Sequence, residues 1–246
     1  MALQEEFVEI GNWFFRHRSY VPLILIIPMM LAMIRFHRPL DSHRLHERWE
    51  FFCMAVSFSG LAIRAFTVGH TPARTSGRNT LEQIAAQVNT TGAYSLVRHP
   101  LYVGNFVIWL GISMFCLEWW LVTIFALAFW MYYERIMFAE EDFLRKKFGD
   151  DFQQWAAVTP AVVPNFSRWH PPSLPFSLRN VLKREYTAFF AIIACFFVLE
   201  LIEDAVVEHA LVLDPEYLVI GSLGLATFLV LRTLKRHTNV LSVEGR

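Results

Sequence analysis

Paired cysteine is the first thing this chain lacks. Its three cysteines, Cys53, Cys116 and Cys195, each sit inside an apolar run. They read as buried thiols, which excludes a disulfide framework and offers no metal-ligand spacing. A glycine-rich phosphate loop is missing, as are a nucleophile elbow and a convincing catalytic triad. Internal repeats and low-complexity tracts are absent too. Met1 to Ile10 carries Glu5, Glu6 and Glu9 and no base, so a cleavable signal peptide is not expected. Net charge is zero, and no nucleic-acid partner is expected.

What is abundant is apolar sequence. At 55% hydrophobic the chain exceeds the roughly 45–50% of an average globular protein. The excess lies in runs, which indicates an integral membrane protein. The expected fold is an all-α, polytopic membrane helical bundle of about six transmembrane helices: Tyr20–Phe36, Trp49–Val68, Leu101–Leu117, Trp119–Phe138, roughly Tyr186–Leu201, and Tyr217–Leu231. Trp13, Trp49, Trp119 and Trp120 fall near span ends, as interfacial aromatics do.

Charge is strongly segregated. The segment Arg135–Arg184 is rich in Lys and Arg, and the tail adds Arg232, Lys235, Arg236 and Arg246. The stretch Glu200–Glu216 has six acids and no Lys or Arg. By the positive-inside rule the former, both termini and the Gly69–His99 loop with Arg74, Arg78 and Arg98 face the cytoplasm. Arg35, Arg38, Arg44 and Arg48 fall on the other side. Either that loop meets anionic headgroups, or one early span is miscounted.

The link Leu117-Glu118-Trp119 is so short that the helices beside it must form an antiparallel hairpin. That hairpin brings Arg98-His99 close to the Glu134–Asp142 cluster. Before it, Thr80-Leu-Glu-Gln83 matches a capping box, and Leu81, Ile84 and Val88 share one helical face. A short amphipathic surface helix ending at Asn89–Gly92 is expected there. After the hairpin, Glu140–Trp155 reads as a charged helix broken near Gly149. Pro160, Pro164, Pro171, Pro172 and Pro175 then rule out regular helix. With Phe166, Trp169 and Phe176 this segment reads as a cytoplasmic wrap.

The organising stretch is Thr90 to Gly104. Pro100 suits the first helical position, where its missing N–H would be unpaired anyway. A helix start offers free N–H donors and partial positive charge, and so can hold an anion. Arg98, His99, Tyr94 and Tyr102 surround that start, and Gly104 lies one turn in. Against this stands the ordinary snorkelling of arginine at a span end. Snorkelling is the slightly preferred reading for Arg64, whose functional alternative is an anion-binding group. Glu134, Arg135, Glu140 and Glu141 sit at the membrane boundary, where ionisable groups usually face the protein interior or a cavity. His43 and His46 have i, i+3 spacing but no companion ligands, so no metal site is expected.

These residues carry a resemblance. Asn89-Thr-Thr-Gly-Ala-Tyr, Arg98-His99-Pro100-Leu-Tyr102-Val-Gly104, Glu140-Glu141-x-x-Leu144, Phe148-Gly149, Phe152-x-x-Trp155 and Pro160…Pro164 together resemble the isoprenylcysteine carboxyl methyltransferase superfamily, which includes phospholipid methyltransferase-like proteins. The resemblance covers roughly residues 69–166, the expected methyltransferase core. Residues 1–68 would then be N-terminal membrane helices and residues 167–246 a wrap plus a C-terminal membrane hairpin.

The resemblance implies a multi-pass membrane enzyme using S-adenosylmethionine, its active site facing the cytoplasm. Gln87, Val88, Asn89, Thr90, Tyr94, His99, Pro100, Leu101, Tyr102, Gly104, Glu140 and Glu141 would bind the cofactor. Arg135 would hold the acceptor; beside it, read from position, Arg98 is a further catalytic candidate and Arg64 a further acceptor-binding one. Two features depart from the family: Arg135 stands five residues before Glu140 where four are expected, and Phe152 and Trp155 replace the usual tyrosines. The acceptor would be a membrane lipid or lipidated substrate, with an anionic carboxylate or lipid phosphate favoured by the arginines. The alternatives are a sterol-reductase-like, NADPH-dependent oxidoreductase with a similar Arg-His-Pro-x-Tyr corner, and a non-catalytic membrane scaffold.

Overall fold

A computed structural model describes residues 3–38, 42–73, 75, 83–211 and 214–246, with the backbone alone at His43. The described residues are helical or irregular, with no strand among them. In chain order the helices are α1 (Leu3–Arg16), α2 (Ile26–Ile34, entered through a 3-10 turn at Val21–Leu25), α3 (His43–Gly69), α4 (Ala93–Leu96), α5 (Pro100–Met114), α6 (Trp119–Phe148), α7 (Asp150–Val158), α8 (Leu178–Val207) and α9 (Pro215–His237).

Among the described residues three helices are long and apolar enough to cross a membrane: Arg44–Gly69 in α3, and all of α6 and α9. They become four if the bent pair Leu3–Arg16 and Val21–Ile34, which turns by 84°, forms one broken span. The expectation of about six is not met by this measure. The α5 helix is apolar but has only 15 residues, short of the roughly 20 a hydrocarbon core asks for. The α8 helix buries Glu185, Glu200, Glu203 and Asp204.

Lipid provides little hydrophobic drive between helices, so close packing has to hold them. The tightest contact is α3 on α5, and it runs through glycines. A Cβ at Gly60 would stand 2.6 Å from the Gly104 carbonyl oxygen, and one at Gly111 would stand 2.4 Å from the Cys53 carbonyl oxygen. Ser57 hydroxyl donates across the same seam to the Ile108 carbonyl at 2.9 Å. Met33, Phe115, Leu121, Ile192 and Phe196 fill the core between α2, α3, α5, α6 and α8. Leu127, Met131, Leu223, Leu229 and Val230 stay exposed on the outer faces of α6 and α9.

The hairpin forms where it is expected. The α5 helix ends at Met114 and α6 begins at Trp119, with Leu117 at φ 58° making the turn. Gly149 breaks α6 from α7 at φ 55°, a backbone conformation only glycine adopts cheaply. The wrap is tied down by main-chain bonds: Arg98 N–H donates to the Pro160 carbonyl, Asn165 N–H to Leu96, and Gly92 N–H to His170.

The amphipathic helix expected from Thr80 does not form over residues 83–90, which are irregular. Thr80, Leu81 and Glu82 lie outside the described residues, as do Arg74 and Arg78. Tertiary bonds replace the helix: Gln83 donates to Asn12 of α1, and Asn89 to the Thr75 carbonyl.

Arg38 corrects a second expectation. It does not reach out to headgroups. Its guanidinium bonds Glu203 at 2.7 Å, Glu208 at 2.8 Å and Asp204 at 3.2 Å. Arg38 therefore ties the arginine loop to the acidic stretch at one end of the bundle. Burial works against the Arg38 charge, but the Glu203 and Glu208 carboxylates outweigh it and hold its pKa above the ordinary arginine value.

Candidate active site

The start of α5 is the anchor of the site. His99 caps the helix with φ −122° and ψ 60°, and Pro100 takes its first turn. The bend throws the Arg98 and His99 side chains toward α6, which the Leu117 hairpin has laid alongside. Arg98 Nε donates to Glu141 Oε1 at 2.8 Å, and its Nη1 bonds the Ala156 and Thr159 carbonyls at 2.8 and 2.9 Å. His99 Nε2 meets the same Glu141 oxygen at 2.9 Å. Tyr102 hydroxyl donates to Glu140 Oε1 at 2.7 Å. The His99 and Tyr102 rings stack at 5.6 Å. The two carboxylates thus differ: Glu141 Oε1 takes both Arg98 and His99 and positions the cationic corner, while Glu140 Oε2 stands 3.6 Å from His99 Nδ1.

These residues line a cavity of about 500 Å3, large enough for a nucleotide-sized ligand. Of the expected site residues it gathers Gln87, Val88, Asn89, Tyr94, Arg98, His99, Pro100, Leu101, Tyr102, Glu140, Glu141 and Arg64. Thr90 lies instead in a smaller neighbouring cavity with Thr67, His70 and Thr71. Gly104 does not face ligand space. A Cβ there would meet the Arg64 side chain at 2.5 Å and the Gly60 carbonyl oxygen at 2.8 Å, so its bareness serves helix packing and seats Arg64. Arg135 is not among the lining residues. It bonds Glu134 at 2.7 Å and lies 3.5 Å over the Phe7 ring of α1.

Sequence reasoning misses Asn105, Tyr133, Glu185, Arg18 and Phe15, all of which line the cavity. Glu185 grips Arg64 with both oxygens, at 2.8 and 2.9 Å, and Arg64 donates to Asn105 Oδ1 at 2.6 Å. Asn105 in turn donates to the Tyr133 hydroxyl at 3.0 Å. Asn105 stands one helical turn after Tyr102, so its position on that face could be read from the i, i+3 rule. Glu185 carries no local signal. The paired Arg64 of the structure is more than a snorkelling side chain, and α8 becomes part of the site wall.

Two polar atoms on this wall are buried without partners: Trp155 Nε1, a donor, and Gln83 Oε1, an acceptor. Both residues line the cavity. Orphaned buried groups are costly, and a ligand carrying both acceptor and donor atoms would satisfy them.

Known proteins match this chain. The phospholipid methyltransferase family model covers residues 52–151. A nickel-cobalt-cadmium resistance protein of Alcaligenes xylosoxydans xylosoxydans is 31% identical over 160 residues, 64% of this chain and 70% of the relative. A cobalt-zinc-cadmium resistance protein of Cupriavidus metallidurans is 30% identical over 171 residues, 67% and 71% of the two chains. A protein-S-isoprenylcysteine O-methyltransferase of Schizosaccharomyces pombe is 35% identical over 75 residues, 30% of this chain and 32% of that one. No solved structure matches.

Proposed function

Because the chain belongs to the isoprenylcysteine carboxyl methyltransferase and phospholipid methyltransferase-like superfamily of integral membrane methyltransferases, we propose that it moves a methyl group from S-adenosylmethionine to an anionic oxygen of a membrane-embedded lipidic acceptor. The observation that carries this reading is the cavity at the start of α5, where the helix N-terminus, a cationic corner, stacked aromatics and Glu140 converge.

The residues present fit that cofactor. The α5 N-terminus with Arg98 and His99 would hold its carboxylate. Glu140 Oε2 would accept from ribose hydroxyls, and Trp155 and Gln83 would offer the donor and acceptor for its base. When bound, S-adenosylmethionine supplies a methyl already activated by sulfonium charge, so catalysis is largely alignment. Glu141 fixes Arg98 and His99 in place. On the acceptor side Arg64, steadied by Glu185 and Asn105, would position a carboxylate or phosphate, a task for which a planar guanidinium is suited. Such an acceptor is already anionic and requires no general base. The acceptor role assigned by resemblance to Arg135 passes in this reading to Arg64. The cavity end of the bundle would face the cytoplasm, in keeping with the basic Arg135–Arg184 segment. The two resistance proteins suggest the setting: a strain lacking this chain would grow poorly under nickel, cobalt, zinc or cadmium load.

The test pairs two measurements on purified protein in lipid nanodiscs. S-adenosylmethionine raises the melting temperature and NADPH does not. Methyl-labelled donor transfers label to membrane lipid or prenylated peptide. A shift with NADPH alone would favour the reductase alternative. Absence of label from every lipid and peptide fraction would overturn the methyltransferase reading.

A further inference from the structure

The end of the bundle remote from the cavity carries a second, tighter cluster. His46 and Glu50 lie one turn apart on α3, and Glu203 comes from α8. All three are at most 2% exposed. One imidazole nitrogen and one oxygen from each carboxylate lie within 4.8 Å of one another. His46 Nε2 stands 2.9 Å from Glu50 Oε1 and is also in contact with Glu203 Oε2. These are ion-pair contacts without hydrogen-bond geometry, so all three atoms are buried with no hydrogen-bond partner. Three potential ligand atoms thus converge in a space the size of a single ion.

The atoms behind that point are held. Tyr217 hydroxyl of α9 donates to Glu50 Oε2 at 2.9 Å. Arg38 Nε donates to Glu203 Oε1 at 2.7 Å. Each carboxylate therefore has one oxygen fixed from outside and the other turned inward, as outer partners do around bound metals. Glu200 adds a further buried carboxyl beside Glu50 with an unpartnered oxygen, and Asp204 another on Arg38. Of these four buried carboxyls the Arg38 guanidinium reaches Glu203 and Asp204 alone. Acidic groups crowded at this depth are expensive to hold as charges, and a doubly charged cation would offset them.

We propose that His46, Glu50 and Glu203 bind a divalent first-row transition metal, the class of Zn2+, Co2+ and Ni2+. One imidazole and two carboxylates form a borderline set with no thiolate, which leaves an open position for water. The ion ties α3 to α8, and through Tyr217 and Arg38 it engages α9 and the chain before α3. The helical rise along α3 from Glu50 to Arg64 puts it roughly 20 Å from the cavity.

The test uses the full chain in nanodiscs, stripped with chelator and then given Co2+ alone. The expected result is one Co2+ per chain by elemental analysis, a visible d–d spectrum, and displacement by Zn2+. Glu50→Gln abolishes the stoichiometric binding. Tyr217→Phe, which leaves every ligand in place, weakens it on the order of 10-fold, as loss of an outer partner does. If Glu50→Gln fails to accumulate, Tyr217→Phe decides. Substoichiometric Co2+ on the wild-type chain, or affinity unmoved in Tyr217→Phe, would overturn the proposal and leave the cluster as a proton-sharing ion network. Methyl transfer is not read at any stage, so the outcome is separable from that of the enzymatic reading.

Discussion

The two polar ends of this bundle use the same residue types in opposite ways. At the cavity end Arg98, His99, Glu140, Glu141, Arg64 and Glu185 pair across helices, yet each pair leaves a face toward about 500 Å3 of open volume. At the other end Arg38, His46, Glu50 and Glu203 turn inward on one another, and the carboxylates are 1–2% exposed. Buried charge at membrane depth is tolerated only when paired. The difference lies in what the leftover atoms face. Atoms facing a volume suit a ligand the size of a nucleotide, whereas atoms facing one another suit a point charge.

The sharpest way to break that contrast is Glu203→Ala. It strips Arg38 and His46 of their shared partner inside the protein, and loss of one member of a buried pair costs about 3–5 kcal/mol. Denaturant titration in mixed micelles should show that loss, while Glu185→Ala at the cavity end, where Arg64 keeps Asn105 and open space, should lose clearly less. Equal losses would erase the distinction. Next comes Glu141→Gln. Freed of its carboxylate, the Arg98–His99 corner moves off its alignment, and methyl transfer should fall about 100-fold with the melting temperature little changed; an unaltered rate would remove Glu141 from the site. Gly111→Ala forces a methyl against the Cys53 carbonyl and should destabilise the α3–α5 seam that joins the two ends by about 1–3 kcal/mol. The smallest effect belongs to Arg135→Ala. With its charge over Phe7 and outside the cavity, the change should stay within about 0.5 kcal/mol in stability and within a factor of two in rate, roughly the same free energy. A large rate loss there would return the acceptor role to Arg135.

Much of the cavity end was legible because its signals are local. Pro100 after Arg98-His99 announced a helix start, and Leu117–Trp119 left no room for anything but a hairpin, so the meeting with Glu140 and Glu141 followed. The far end depends on partners such as Arg38 and Glu203, 165 residues apart. Its elements were nevertheless visible: an arginine-rich loop and an acid-rich stretch that orientation placed on one side. Their complementarity was the missed signal, and His46 was set aside because Glu203 lies on another helix and Glu50, one turn away, was not counted with it. The segment from Thr80 had helical pattern, but bonds from Gln83 to Asn12 and from Asn89 to Thr75 outweigh a weak local preference. The shortfall in spans has a similar origin: hydropathy counts apolar residues, while α5 ends after 15 because its turn arrives early.

The main-chain ties between residues 92–99 and the wrap carry a consequence for how the protein is made. Arg98 closes on the Ala156 and Thr159 carbonyls, the nearer of them 58 residues later in the chain. Everything between is the α5–α6 hairpin and α7. As the chain emerges, the cationic corner exists before any of its holders do, and it can be fastened only after that hairpin has entered the bilayer and the residues beyond it have left the ribosome. The last segment to be translated before α8 is therefore the latch of that corner, and Glu185 of α8 completes the wall only after it.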